Sequence, residues 1–310
     1  PVAAAPAPVV AAPAPVAAAP APVAAAPEPV ASPVATAPVA PHPCFRGLRR
    51  LQPPGSSPPH CPPQHTRRRA HTTPHIKAIS PCSNDLPFQA GATEPLIIPD
   101  GTAYVYNSCR SWSNHGTKET CGSGDSLHIP ASVKIIFDLA FIDCFNLKNI
   151  TFAEGSAQLI GNAAFRETDI STLHLPASTE YLGETAFGEI SALKTVTFAE
   201  GSLLKIIDEQ AFERTGVTLL DFTLLANLEV IGDQVCEECE DLKAVTFAED
   251  SLLKIIGEGA FKRTGLTSQH FPAKLETIGE DAFYECAGLT AITFAEDSAL
   301  ETIEDGAFEA

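Results

Sequence analysis

The stretch "LKNITFAEGSAQLIGNAAFRET", residues 147–168, decides the fold. It returns as "LKTVTFAEGSLLKIIDEQAFERT" at 193–215 and as "LKAVTFAEDSLLKIIGEGAFKRT" at 242–264, and "TFAEDS" recurs at 293. Between these copies lie "LHLPAS" at 173 and "QHFPAK" at 269, and "LHIPAS" at 127 opens the array. A second marker, Ala-Phe, ends at Phe141, Phe165, Phe187, Phe212, Phe261, Phe283 and Phe308, with spacings of 24, 22, 25, 49, 22 and 25. The gap of 49 spans two repeats, and its missing ring falls at Cys236.

Each unit obeys one grammar. An L-x-x-[IVL]-x-[FL] stretch alternates apolar and polar residues, the period of a half-buried strand. A polar turn follows, then a second apolar pair ending in Ile-Gly or a variant. Glycine at that point is read as serving a chain reversal with unusual dihedrals. The closing x-x-A-F-x-x-[C/T] is expected to place a small residue and a ring in the core on one short helical turn. A unit of 22 to 25 residues cannot cover its own apolar edge, so neighbours must stack into a solenoid. Units carrying Cys or Ile (Cys144, Ile190, Cys239, Cys286) alternate with units carrying Thr (Thr168, Thr215, Thr264), which points to an ancestral pair about 47 residues long. "FTLLANLEVIG" holds two residues more than "FPAKLETIG" and predicts a small bulge.

The recurring "LxxIxFP"-like strand and "IGxxAFxxC"-like turn, in that order over residues 127–310, resemble the BspA-type leucine-rich repeat family. The resemblance implies an α/β leucine-rich repeat solenoid of about eight units, with parallel strands on the concave face and short helical turns. Phe137 stands where the usual glycine would be, and the asparagine ladder of plant-type repeats is absent. The same resemblance implies a cell-surface protein that binds other proteins.

The register also explains "DQVCEECEDL", residues 233–242. Its C-x-x-C places Cys236 at the ring position and Cys239 at the position of Cys144 and Cys286. Free cysteine packs as a small hydrophobe, and that is the expected role here. No second C-x-x-C or nearby His pair completes a four-ligand zinc site. Redox or metal work and an adventitious disulfide are the alternatives. The structural core is therefore expected at Phe141, Phe165, Phe187, Phe212, Cys236, Phe261, Phe283 and Phe308.

The last outward position of each strand reads His128, Thr151, His174, Thr197, Asp221, Thr246, His270, Thr293, the candidate concave binding face. Histidines at alternate rungs stand ~9.6 Å apart, twice the strand spacing. That separation does not suit two imidazoles sharing one metal at ~2.1 Å each. A polar, Thr-rich recognition strip is expected instead.

Net charge is −18, but residues 127–310 alone carry 32 acids against 11 bases. The acids (Glu154, Glu200, Glu249 and Glu296 after the strands, Asp208, Glu209, Glu280 and Asp281 elsewhere) are assigned mostly to turns. They read as a solvated rim. "AEGS" and "AEDS" do not match a calcium loop.

Residues 1–43 are low-complexity Ala/Pro/Val, expected as a disordered, polyproline-like spacer. Residues 44–78 form a basic, Pro-rich disordered segment. Arg67, Arg68 and Arg69 lack interleaved aromatics, so no nucleic-acid binding is expected. Residues 79–126, with Cys82, Cys109, Cys121 and Trp112, read as a degenerate capping unit in which Cys109 and Cys121 could pair. Its "LIIPDGTAYVYNSC" aligns with "LHIPASVKIIFDLA". The sequon Asn149-Ile150-Thr151 falls on a strand. The chain lacks methionine and stops mid-repeat, as expected of a fragment. No stretch reaches ~18 uninterrupted apolar residues, so no membrane span is expected.

No Gly-rich phosphate loop, G-x-S-x-G or nucleophile–base pair emerges, so no enzyme and no cofactor are expected. The expected function is non-catalytic protein–protein interaction or adhesion, by a monomer binding a protein ligand through the concave face. An intracellular scaffold, or the recognition part of a larger enzyme or receptor, is the alternative. Localisation is cell surface or extracellular by preference, cytoplasmic otherwise.

Overall fold

The structure, a computed structural model, describes residues 77–79, 96–106 and 124–310. All of them lie within one unit, His42–Ala310. The 1–43 spacer, most of the basic segment and the Cys109–Cys121 pairing lie outside the described residues.

From residue 126 the chain winds through eight coils, each with one four-residue and one two-residue strand. Coil 1 holds Ser126–Ile129 and Ile135–Ile136; coil 2, Asn149–Phe152 and Leu159–Ile160; coil 3, Thr172–Leu175 and Tyr181–Leu182; coil 4, Thr195–Phe198 and Ile206–Ile207. Coil 5 holds Leu219–Phe222 and Val230–Ile231; coil 6, Ala244–Phe247 and Ile255–Ile256; coil 7, Ser268–Phe271 and Thr277–Ile278; coil 8, Ala291–Phe294 and Thr302–Ile303. Every pairing is parallel, rung to rung, in separate long-strand and short-strand sheets. Ahead of coil 1, Leu96 pairs with Leu127, and Tyr104 with Ile135.

The strands follow from their residues. In Thr195–Phe198, Val196 and Phe198 are buried while Thr195 and Thr197 face solvent. β-branched and aromatic residues fit this half-buried, pleated surface. The short strands close the coil from the other side, and Ile136, Ile160, Leu182, Ile207, Ile231, Ile256 and Ile278 are buried to 0%. Between the sheets the rings stack. Phe141, Phe165, Phe187 and Phe212 follow one another at 5.0, 5.2 and 5.9 Å. The ladder resumes at Phe261, Phe283 and Phe308, with 5.4 and 5.2 Å between centroids.

The expected short helical turns are replaced: no helix occurs among the described residues. Two residues before each ring the backbone is left-handed, as at Ala163 (φ 51°), and in coils 1–7 it is left-handed again two residues after, as at Glu167 (φ 56°). This alternation turns every second N–H group toward the next coil. Ala163, Phe165 and Glu167 donate to the carbonyls of Glu184, Ala186 and Gly188 at 2.7, 2.8 and 3.2 Å. A helix would instead direct those donors back along its own chain. An isolated left-handed residue costs roughly 1–2 kcal/mol, and three inter-coil hydrogen bonds per turn offset it. The architecture is an all-β solenoid rather than α/β.

The Ile-Gly glycines also have another reason than the one expected. Gly161 and Gly257 are not left-handed. A Cβ on Gly161 would meet the backbone nitrogen of Asp138 at 2.6 Å, and one on Gly257 would meet the carbonyl carbon of Gly232 at 2.6 Å. Close approach of the preceding coil selects glycine. The extra residues of "FTLLANLEVIG" make no strand bulge. Coils 5 and 6 pair without a shift from Leu219–Ala244 to Phe222–Phe247, and the surplus is taken up in the turn at Phe222 and Leu225.

Candidate functional site: the face of the long strands

The outward side chains of the long strands form two columns. The second contains His128, Thr151, His174, Thr197, Asp221, Thr246, His270 and Thr293, all exposed. They are not evenly related. His128 Nδ1 meets Thr151 Oγ1 at 2.9 Å, His174 meets Thr197 at 2.9 Å, and His270 meets Thr293 at 2.9 Å. In coil 5 Asp221 takes the histidine's part, accepting from Thr246 Oγ1 at 2.8 Å. The eight residues thus form four clips, each joining an odd coil to the even coil that follows.

The strands share this two-coil rhythm. Coils 1 and 2, 3 and 4, 5 and 6, and 7 and 8 each pair over four residues. Coils 2 and 3, and coils 4 and 5, pair at one position only, Asn149–Thr172 and Val196–Leu220. The long-strand sheet ends at coil 6, and coils 7 and 8 form a separate pair. Gln269 of coil 7 occupies a core position held by Leu, Ile or Val in the other coils, and its Oε1 is buried without a partner.

Asp221 is the one carboxylate of the column. Burial alone would raise its pKa, but hydrogen bonds from the Thr223 hydroxyl (2.7 Å), the Thr223 amide (3.1 Å) and Thr246 hold it below the usual carboxylate range. Beside it stands Leu219, 44% exposed, in a column otherwise made of Ser126, Asn149, Thr172, Thr195, Ala244, Ser268 and Ala291. Leu219 escaped the sequence reading because only the second column was followed. A large apolar residue among small or polar ones in the first column was the available signal.

A second ordered array lies along the turns. Arg214 donates to Glu238 at 2.7 Å, and Arg263 binds both Glu238 and Glu285 at 3.2 and 2.6 Å. The Arg214 hydrogen bond, then its charge and that of Arg263, hold Glu238 below the usual carboxylate range. Such exposed pairs contribute little individually. They explain why some acids of this rim are neutralised locally.

Cys236 and Cys239 are both buried, and they are joined by a disulfide rather than packed as free thiols. The tight turn between them brings their Cα atoms to 5.4 Å, within the range a disulfide spans. Cys144 is also disulfide-bonded, and Cys286 is a buried free thiol whose pKa is raised by burial. Among the described residues, no three His, Cys, Asp or Glu side chains converge as metal ligands, and no helix is long and apolar enough to cross a membrane. The sequon begins on the exposed Asn149, at the start of its strand.

Parallel coils, a ring in seven of the eight turns and two facing sheets define a stacked-repeat solenoid. The chain belongs to the BspA-type leucine-rich repeat family, which matches residues 117–243 and 205–310 in six copies. Among solved structures it is similar to the pneumococcal vaccine antigen PcpA, at 22% identity and a TM-score of 0.45 over 64% of this chain. The match spans 57% of that antigen. It is similar also to a leucine-rich repeat protein of T. pallidum (22% identity, TM-score 0.42, 56% of this chain and 74% of that one). A leucine-rich cell surface protein of Faecalibacterium prausnitzii matches at 20% identity, with a TM-score of 0.35, over 67% of this chain and 74% of that one. No curated protein matches the chain.

Proposed function

We propose that this chain is a non-catalytic recognition module that binds a protein partner, as an adhesion or interaction surface, through the face of its long strands. The observation that carries the reading is the row of exposed, mutually fixed side chains from His128 to Thr293. Clipped rotamers lose little freedom on binding, and pre-organisation is what turns contact into affinity. Leu219 and Asp221 supply an apolar and an anionic contact near the middle of the row. The clips, three His–Thr and one Asp–Thr, repeat at regular two-coil intervals on an open surface, which suits extended contact better than a single reaction centre. The chain acts as a monomer on this reading.

Display outside the cell is favoured over an intracellular scaffold by the Cys236–Cys239 disulfide, since such bonds persist in oxidising compartments. The test is protease treatment of intact cells, followed by an antibody raised against residues 127–310. Loss of signal is the expected result. Protection until lysis would favour the scaffold.

A further inference from the structure

Coil 5 differs from its neighbours in the core. It places Cys236 where the other seven coils place a ring, so the ladder stops at Phe212 and resumes at Phe261. Coil 7 offers the comparison within the same molecule. There the turn reads Phe283-x-x-Cys286, and the free thiol of Cys286 donates to the Phe261 carbonyl at 3.1 Å and meets Thr264 Oγ1 at 3.1 Å. Cys239 of coil 5 lies against the equivalent pair, the Phe212 carbonyl at 3.2 Å and Thr215 Oγ1 at 3.3 Å, while bonded to Cys236. The partners that a Cys239 thiol needs are therefore already in place. What coil 5 lacks, compared with coil 7, is the ring.

We infer that the Cys236–Cys239 disulfide is a redox-responsive staple of the coil 5 turn, at the junction of two blocks of the solenoid. Oxidised, the bond holds that turn closed, with Cys236 at the ring position between Phe212 and Phe261. Reduced, the turn keeps its inter-coil bonds from Gln234, Cys236 and Glu238 to the carbonyls of Glu258, Ala260 and Lys262, at 2.7, 2.8 and 2.9 Å. No covalent bond then keeps the turn closed around the small Cys236 side chain, and packing between the coils weakens. Because a solenoid is held by nearest-neighbour interfaces, one weak coil divides the array into a block before it and a block after it.

The chemistry is thiol–disulfide exchange with a small dithiol. One thiolate attacks a protein sulfur to form a mixed disulfide, and the second thiolate displaces the protein thiol. Two electrons and two protons pass to the cysteines, and the reagent leaves as its cyclic disulfide. Both cysteines are 0% exposed, so attack requires the turn to open, and sub-denaturing urea accelerates it.

The test is thermal unfolding of the full chain, wild type and Cys236→Phe, oxidised and after reduction with dithiothreitol in low urea. Thiols are counted by alkylation after unfolding. Cys236→Phe restores the F-x-x-C grammar of coil 7 and leaves the Cys144 disulfide as an internal control. The wild-type midpoint is expected to fall by about 5 °C more than that of the variant on reduction. Equal shifts would overturn the inference, as would finding Cys236 and Cys239 alkylated without reductant. If Cys236→Phe does not fold, Cys239→Ser serves instead. It should melt below the oxidised wild type and respond to dithiothreitol only through the disulfides it retains, that of Cys144 among them, and a midpoint at the oxidised wild-type value would equally overturn the inference.

Discussion

Thr264 Oγ1 lies 3.1 Å from Cys286 Sγ, and Thr215 Oγ1 lies 3.3 Å from Cys239 Sγ, each pair spanning two adjacent coils. The alternation of Thr and Cys along the sequence is thus a contact between neighbours. In both pairs the Thr hydroxyl donates to the carbonyl of its own ring residue, at 2.9 Å for Thr264 and 2.8 Å for Thr215. The buried Thr hydroxyl is satisfied by that carbonyl, as buried polar groups must be, and the sulfur of the next coil packs against its oxygen. The clips on the outer face join the two coils of a pair, and these inner contacts join one pair to the next, so both recur with a two-coil period.

Phe212 is 0% exposed and stacks on Phe187. Phe212→Ala should cost about 3–5 kcal/mol through lost transfer energy and a residual cavity. Urea denaturation of the full chain reads this directly, and a loss under ~1 kcal/mol would contradict its place in the ladder.

Two glycines of coil 6 should respond differently to alanine. Gly257→Ala forces a Cβ to 2.6 Å from the Gly232 backbone. Overpacking of that kind costs typically ~1–3 kcal/mol or more. Gly259 is left-handed (φ 58°), and its nearest neighbour is the flexible Gln234 side chain at 3.3 Å. Six coils tolerate a non-glycine residue at the same turn position, so Gly259→Ala should cost only about 1 kcal/mol. The reverse order in thermal melts would refute the close-approach argument.

Glu213 is buried, and that burial raises its pKa despite the opposing charge of Arg214, with Glu189, Glu237 and Glu238 adding to the rise. A carboxyl raised in the folded state favours folding while protonated, and that contribution is lost as pH rises from the unfolded carboxylate range through the folded pKa. Glu213→Gln should therefore stabilise the protein near neutral pH and have little effect in acid. A stabilisation that did not vary with pH would show that titration is not the cause.

On the outer face, Thr197→Ala removes the hydroxyl that His174 meets, yet both residues are exposed. The stability cost should stay within about 0.5 kcal/mol. Binding of a partner identified on the long-strand face should weaken far more, as measured by titration calorimetry. Unchanged affinity for this variant and for Leu219→Ala would place the interface elsewhere.

The repeat period, the strands, the buried ring column and the family were legible because burial repeats every 22 to 25 residues, and apolar spacing is a local signal. Read one residue at a time, Cys236 was already assigned to the core. What the sequence did not decide was where the turn's N–H groups go. The same A-F-x-x letters serve a helix if the donors bond along the chain, and an alternating turn if a neighbouring coil offers carbonyls at the right spacing. The role of Gly161 and Gly257, the disulfide of Cys236 and Cys239, and the four clips likewise depend on distances between residues. Only stacking the coils fixes those distances, so the sequence by itself determined the solenoid and its inward face, and the tertiary structure decided the turns and the order of its outward one.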